Sequence, residues 1–147
     1  MAETDMAQGT TGRSAPIAEV IDGLNDLLQL DHDAIGAYQI AIEKLDDRDH
    51  ADQIRGFQLD HERHVRALTQ LITELGGTPI NEPHKTGPFK EALQSLGALA
   101  GDRGLLMAWR TNELQARTKY DSYASKAMFW PAEVKRIVDR NALDEER

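Results

Sequence analysis

Apolar residues recur at steps of three and four along most of this chain, which is the spacing of one face of an α-helix. The first run carries Ile17, Leu24, Leu28 and Ile35, and there is almost no alternating pattern of the kind that a strand would show. We therefore predict an all-α protein. The predicted long helices cover about 17–45, 50–75, 102–128 and 131–147.

The breaks between these runs set the predicted architecture. Gly76-Gly77 ends the second helix, and residues 78–88, with three prolines and a glycine, are predicted to form a loop. A short extra helix at about 89–99 is predicted before the third long helix. The fourth helix is truncated, at about four turns where the others run for about seven. Helices of this length favour an antiparallel four-helix bundle.

Composition and charge limit the classes of function. The chain of 147 residues carries 25 acidic residues against 17 Lys and Arg, a net charge of −8 that argues against nucleic acid as a partner. Residues 1–14 are predicted to be a disordered tail and 15–147 one bundle domain. No signal peptide or membrane-length apolar run is seen, so no membrane partner and a cytoplasmic location are expected. Because there is no Cys, a metal would need His and carboxylate ligands.

One short motif occurs twice. An acid is followed by Ala after three residues and by Tyr after four more, at Asp31-Ala34-Tyr38 and again at Glu113-Ala116-Tyr120. Each copy is followed about thirty residues later by a charged cluster. The two clusters are Leu59-Asp60-His61-Glu62-Arg63-His64 and Leu143-Asp144-Glu145-Glu146-Arg147, and the second stops one residue before a match to His64. A duplicated helical hairpin with acids and histidines on its inner face predicts a metal site.

The polar residues within the apolar stripes are the candidates for chemistry. His61 and His64 lie on the stripe that otherwise holds Phe57 and Leu68, and two histidines three residues apart on a helix can converge on one ion. Asp31 and Glu113 each lie in an apolar stripe too, where an ionised carboxylate needs a partner. The histidines alone fit equally well as core-edge residues bonded to neighbouring carboxylates.

Three further residues are predicted to support the ligands by hydrogen bonds. Asp60 lies at the edge of the histidine face, where it can orient an imidazole. Tyr38 and Tyr120 lie two turns beyond the acids and can bond a ligand carboxylate, although each tyrosine alone also fits an ordinary core aromatic.

These residues resemble the ferritin-like superfamily, which includes bacterioferritins and rubrerythrins and in which two hairpins each supply Glu-x-x-Ala-x-x-x-Tyr and a later Glu-x-x-His. The layout is most similar to bacterial ferritin-like domains of unknown function. The resemblance implies a di-iron carboxylate site in a four-helix bundle. Three departures stand out: Asp31 replaces a Glu, His61 stands where a bridging Glu would be, and a final His is missing. The implied metal ligands are Asp31, His61, His64, Glu113 and Glu145.

The resemblance implies a protein that binds one or two iron ions, with Mn or Zn as alternatives, and ferroxidase-like or di-iron oxidoreductase activity. A metal-free helical interaction or stress-related module that has lost the site is the second hypothesis. A hemerythrin-like or histidine-rich hydrolase-like bundle fits less well, because those bundles usually space their histidines by four. A short fourth helix would leave apolar surface on its neighbours, so a homo-oligomer is expected.

Overall fold

The computed structural model describes residues 15–84 and 88–146, with side chains described for 15–84 and 101–146. Its long helices are α1 (Ile17–Lys44), α2 (Arg48–Glu74), α3 (Pro88–Lys126) and α4 (Ala132–Glu145). A short 3₁₀ turn, Ala127–Phe129, lies between the last two. The predicted all-α four-helix architecture is confirmed, as is the short fourth helix. The predicted tail, residues 1–14, lies outside the described residues.

The turns at the two ends of α2 are set by local chemistry. Asp47 caps its first turn, and one carboxylate oxygen accepts from the backbone N–H groups of Asp49 at 2.9 Å and His50 at 3.3 Å. At the other end Gly76 has φ +84°, a conformation that glycine adopts without steric cost. The Gly77 N–H then bonds the Ile72 carbonyl at 2.9 Å, which closes the helix with a Schellman motif.

The predicted extra helix at 89–99 is joined to the third helix rather than separate from it. α3 begins at Pro88, and Gly101 has φ +57° within it. The junction between the two predicted helices therefore falls at this glycine, which adopts a left-handed conformation without the cost that a side chain would add.

Side-chain contacts fix the directions of the first three helices. Asp102 in α3 accepts from the backbone N–H groups of Asp46 and Asp47, just beyond the C-terminus of α1. Tyr123, later in α3, donates to Asp26 in the first half of α1 at 2.5 Å. α3 therefore runs antiparallel to α1, as α2 does. Residues 78–84, which follow α2, bond to successive positions of α1 and run back along it, so α2 and α3 point the same way.

A polar layer separates two apolar clusters inside the bundle. One cluster includes Leu24, Leu28 and Leu68 together with Val134 and Val138 of α4. The other is built from the C-terminal half of α1, the start of α2 and the middle of α3, and includes Ala41, Leu45, Ile54, Leu105 and Ala108. Between them lie the buried charged and histidine side chains of Asp31, His61, His64 and Glu145.

Candidate metal centre

Three helices contribute to the polar layer, and each places one or two side chains there. His61 and His64 are one turn apart on the inner face of α2, so both imidazoles point the same way. Asp31 lies midway along α1, and Glu145 is the last residue of α4. All four side chains are almost fully inaccessible to solvent. Ionisable groups buried to this extent need charged or hydrogen-bonding partners.

Asp31 lies at the centre of the layer and accepts from three groups. His61 Nδ1 is 2.7 Å and His64 Nδ1 is 3.3 Å from its Oδ1, and the Tyr120 hydroxyl donates to its Oδ2. Burial alone would raise the pKa of this carboxyl, but the hydrogen bonds and charges of the two imidazoles outweigh it and lower the pKa. Asp31 is therefore an anion at neutral pH.

The outer nitrogens of the two histidines also have partners. His64 Nε2 lies 3.0 Å from Oδ2 of Asp144, and His61 Nε2 lies 3.1 Å from the Tyr38 hydroxyl. That hydroxyl also accepts from Asn112 Nδ2 at 3.3 Å. Burial lowers the pKa of His64, but the carboxylates on its two sides more than compensate and raise it.

Glu145 brings a carboxylate into the layer that has few partners. Its Oε1 is 3.6 Å from His61 Nδ1 and 3.5 Å from His64 Nδ1, and it has no hydrogen-bond partner among the described residues. Burial and the nearby charge of Asp31 raise its pKa to about 8, against the opposing effect of His61. An unpartnered buried carboxylate oxygen facing two imidazoles is a vacant acceptor for a cation or a proton.

Asp31, His61, His64 and Glu145 together form a group whose ligand atoms all lie within 4.8 Å of one another. Histidine nitrogens and carboxylate oxygens are ligands for borderline and hard divalent ions. The residues therefore fit a metal ion in number, chemical type and separation.

Glu113, also predicted to be a ligand, lies to one side of this group. Its Oε1 is 3.6 Å from His61 Nε2, on the opposite edge of the imidazole from Asp31. Its side chain is 20% exposed, whereas those of Asp31 and Glu145 are 0% and 2% exposed. Burial and then the charge of Asp31 raise its pKa to about 7.

The position of Glu113 follows from the rotation of α3. The sequence places Trp109 and Glu113 on the inner stripe, whereas the structure buries Ala108 and Asn112 and leaves the other two half-buried. Asn112 also fits the spacing of three and four with Leu105, so the pattern contained a signal for it. The buried face of α3 thus runs through Leu105, Ala108, Asn112 and Ala116. Glu113 lies about 100° around the helix from Asn112.

The three residues predicted to support the ligands make the following contacts. Tyr120 donates to the Asp31 carboxylate, and the Tyr38 hydroxyl contacts His61 Nε2. Asp60 pairs with Arg63, and the carboxylate beside His64 Nε2 comes from Asp144. A signal for Asp144 existed, because it holds the same place in the second charged cluster that Asp60 holds in the first.

A cleft of about 770 Å³ leads from solvent to this side of the site. Glu113 and Glu145 both line it, together with Trp109 and the exposed residues Arg110 and Arg117. The group of Asp31, His61, His64 and Glu145 is thus closed on the Asp31 side and approachable from the side of the two glutamates.

The fold defines the class of protein. A crystal structure described as "ferritin like, diiron-carboxylate proteins" from Bacillus anthracis str. Ames is similar to this chain, with a TM-score of 0.70 and 23% sequence identity. The similarity covers 88% of this chain and 89% of the other. This protein therefore has a ferritin-like fold.

The family is given by a second comparison. Residues 19–126 match the family described as "Domain of unknown function (DUF2383)", and the chain belongs to that family. No curated protein matches the chain. None of the helices in the described part of the chain combines the length and apolar character that a membrane crossing requires.

Proposed function

We propose that this protein binds a divalent metal ion, iron in the first place, inside its helical bundle. The observation that carries the proposal is the group of four ligand atoms from three helices, all within 4.8 Å of one another. The buried Oε1 of Glu145 supports it, because a cation would supply the partner that this oxygen lacks among the described residues. The choice of iron is supported by the similarity to a di-iron carboxylate protein, with Mn and Zn as alternatives.

Bound iron would supply redox chemistry with an oxidant such as dioxygen. The residues of this chain would hold and orient the ligands. Tyr120 holds Asp31 in place, and Tyr38 and Asp144 orient His61 and His64. The cleft beside Glu113 and Glu145 would admit the oxidant. On this proposal residues 15–147 act as one domain of a cytoplasmic homo-oligomer, and exposed apolar side chains away from this cleft, such as Leu59 and Met128, suit a subunit contact.

A metal-free interaction module is the second candidate, because Asp31 already accepts from three donors without a cation. In such a protein the only role of the polar layer would be to specify how the helices pack against one another.

Elemental analysis of protein purified from its own host separates the two. On the proposal, the wild type contains at least about one metal ion per chain. The double variant His61→Ala with His64→Ala should contain none. His50→Ala, on the exposed start of the same helix, is the control and should keep the metal. A circular dichroism spectrum checks that the double variant is still helical. Equal metal content in the wild type and the double variant would rule out this site.

A further inference from the structure

We propose that the site takes a single ion per chain, held by one atom each from Asp31, His61, His64 and Glu145, and that Glu113 stays outside its coordination sphere. This inference rests on the proposed function and sharpens it. The di-iron carboxylate arrangement that the fold suggests would instead use Glu113 and a second ion.

The separations of the four atoms fit one small cation. Ligands about 2.1 Å from an ion in tetrahedral geometry lie roughly 3.4 Å apart from each other. Asp31 Oδ1 is 2.7 and 3.3 Å from the Nδ1 atoms of His61 and His64. Glu145 Oε1 is 3.6 and 3.5 Å from the same two nitrogens. For an ion among them, Asp31 Oδ1 and His61 Nδ1 would have to move apart by about 0.7 Å, whereas the other three separations already lie within about 0.2 Å of this value.

The hydrogen bonds on the far side of the imidazoles agree with ligation through Nδ1. A neutral histidine that binds a metal through Nδ1 carries its proton on Nε2 and needs an acceptor there. Asp144 Oδ2 lies 3.0 Å from His64 Nε2, and the Tyr38 oxygen lies 3.1 Å from His61 Nε2. Both acceptors are therefore in place for this tautomer.

Glu113 Oε1, like Glu145 Oε1, is buried without a hydrogen-bond partner among the described residues, but a second ion beside it would meet obstacles that the first does not. Glu113 faces His61 Nε2 across 3.6 Å, so any ion that it shared with His61 would lie at the opposite edge of the ring from Asp31. Tyr38 already occupies that nitrogen. Charge adds to the difficulty, because Asp31 and Glu145 neutralise one divalent ion and leave Glu113 alone to offset another two positive charges.

The pair Glu145→Gln and Glu113→Gln tests the inference, because the two changes are chemically identical. Metal-free protein is titrated anaerobically with Fe²⁺ and separately with Zn²⁺, with stoichiometry read by native mass spectrometry and affinity by competition with a chelator. We expect one ion per chain, at least a tenfold loss of affinity in Glu145→Gln, and less than a threefold change in Glu113→Gln. Helix content by circular dichroism shows that both variants fold.

Three results would contradict either the single-ion site or the proposed function. Two ions per wild-type chain, or a loss in Glu113→Gln as large as in Glu145→Gln, would overturn the single-ion site and leave metal binding intact. No ion bound to the wild type would overturn the proposed function itself.

A second measurement addresses the ligand atoms directly. In the Zn²⁺ form, nitrogen-15 NMR of the imidazoles distinguishes the metal-bound from the protonated nitrogen. We expect the proton on Nε2 of both His61 and His64, and a proton on Nδ1 of either would contradict the proposed coordination.

Discussion

His64 lies between two carboxylates, and under the proposed function this placement would couple metal binding to the loss of a proton from the imidazole. In the metal-free protein Asp31 accepts at Nδ1 and Asp144 at Nε2, so the imidazole is favoured as a cation and its pKa is raised. A metal ion bound at Nδ1 must displace that proton. Asp144 then keeps the ring oriented by accepting from Nε2, in the arrangement of carboxylate, histidine and metal that many metal sites share.

Replacing Asp144 by Asn should therefore weaken metal binding without removing a ligand. Loss of such a supporting carboxylate typically lowers metal affinity by about 10- to 100-fold, and we expect a change in this range. The affinity is measured by chelator competition. Asp139→Asn, which breaks the exposed ion pair with Lys135 on the same helix, should leave the affinity unchanged. If both variants behave alike, Asp144 does not position His64.

At the scale of the helices, one close approach fixes how α1 meets the start of α4. A Cβ placed on Gly23 would lie 2.7 and 2.9 Å from ring atoms of Trp130, so only glycine allows this contact. Trp130 is 8% exposed and belongs to the apolar cluster that contains Leu24 and Val134. Gly56, on the exposed face of α2, has nothing within 4 Å of such a Cβ.

The two glycines should respond to alanine with opposite signs. Gly23→Ala gains helix propensity of up to about 1 kcal/mol but forces the Trp130 ring to move, and overpacking costs about 1–3 kcal/mol. We expect a net loss of about 1 kcal/mol in the free energy of unfolding. Gly56→Ala should raise that free energy by up to about 1 kcal/mol. Urea denaturation measures both, and stabilisation by Gly23→Ala would show that the Trp130 contact is not restrictive.

At the scale of the whole molecule, the bundle has two apolar clusters and a polar layer between them that holds several ionisable groups. Without a metal the layer contains carboxyls whose ionised forms are disfavoured by burial and by one another. The pKa of Glu113 is raised to about 7 and that of Glu145 to about 8, from an ordinary value of 4.5. The stability of the metal-free fold therefore depends on whether these groups hold protons.

The metal-free protein should lose stability as the pH rises. Between about pH 5 and 8 the folded state retains carboxyl protons that the unfolded chain has released, so each rise in pH favours unfolding. His64 acts in the same direction, because its raised pKa stabilises the fold below 6.5 and this contribution disappears at higher pH. In urea denaturation with a chelator present, we expect the free energy of unfolding to be lower at pH 8.5 than at pH 5.5, by on the order of 2 kcal/mol.

Two comparisons test whether this pH dependence of stability arises in the polar layer. The double variant Glu113→Gln with Glu145→Gln should show a smaller fall, since it has no such carboxyls to ionise. Saturating metal should raise stability most at high pH, where few protons compete for the ligands. Equal stability of the chelated wild type at the two pH values would show that these carboxyls are not perturbed in the folded protein.

Much of the fold could be read from the spacing of apolar residues, because burial in a bundle requires one apolar face per helix. The repeated motif also singled out Asp31, His61, His64 and Glu145 before any contact was known. Which side chains of a helix face inward was harder to predict, because this depends on the rotation of the helix about its own axis. The pattern placed Glu113 on the inner stripe, whereas the structure leaves it half-buried.

The sequence by itself determined the all-helical class, the four long helices and the presence of polar groups in the apolar interior, since these follow from local periodicity. Only the tertiary structure decided which polar groups meet. It brought Asp144 to His64 across 80 positions of the chain and left Glu113 on the far edge of the His61 ring. The reason is geometric: side chains meet according to helix rotation and crossing, which depend on the packing of all four helices together.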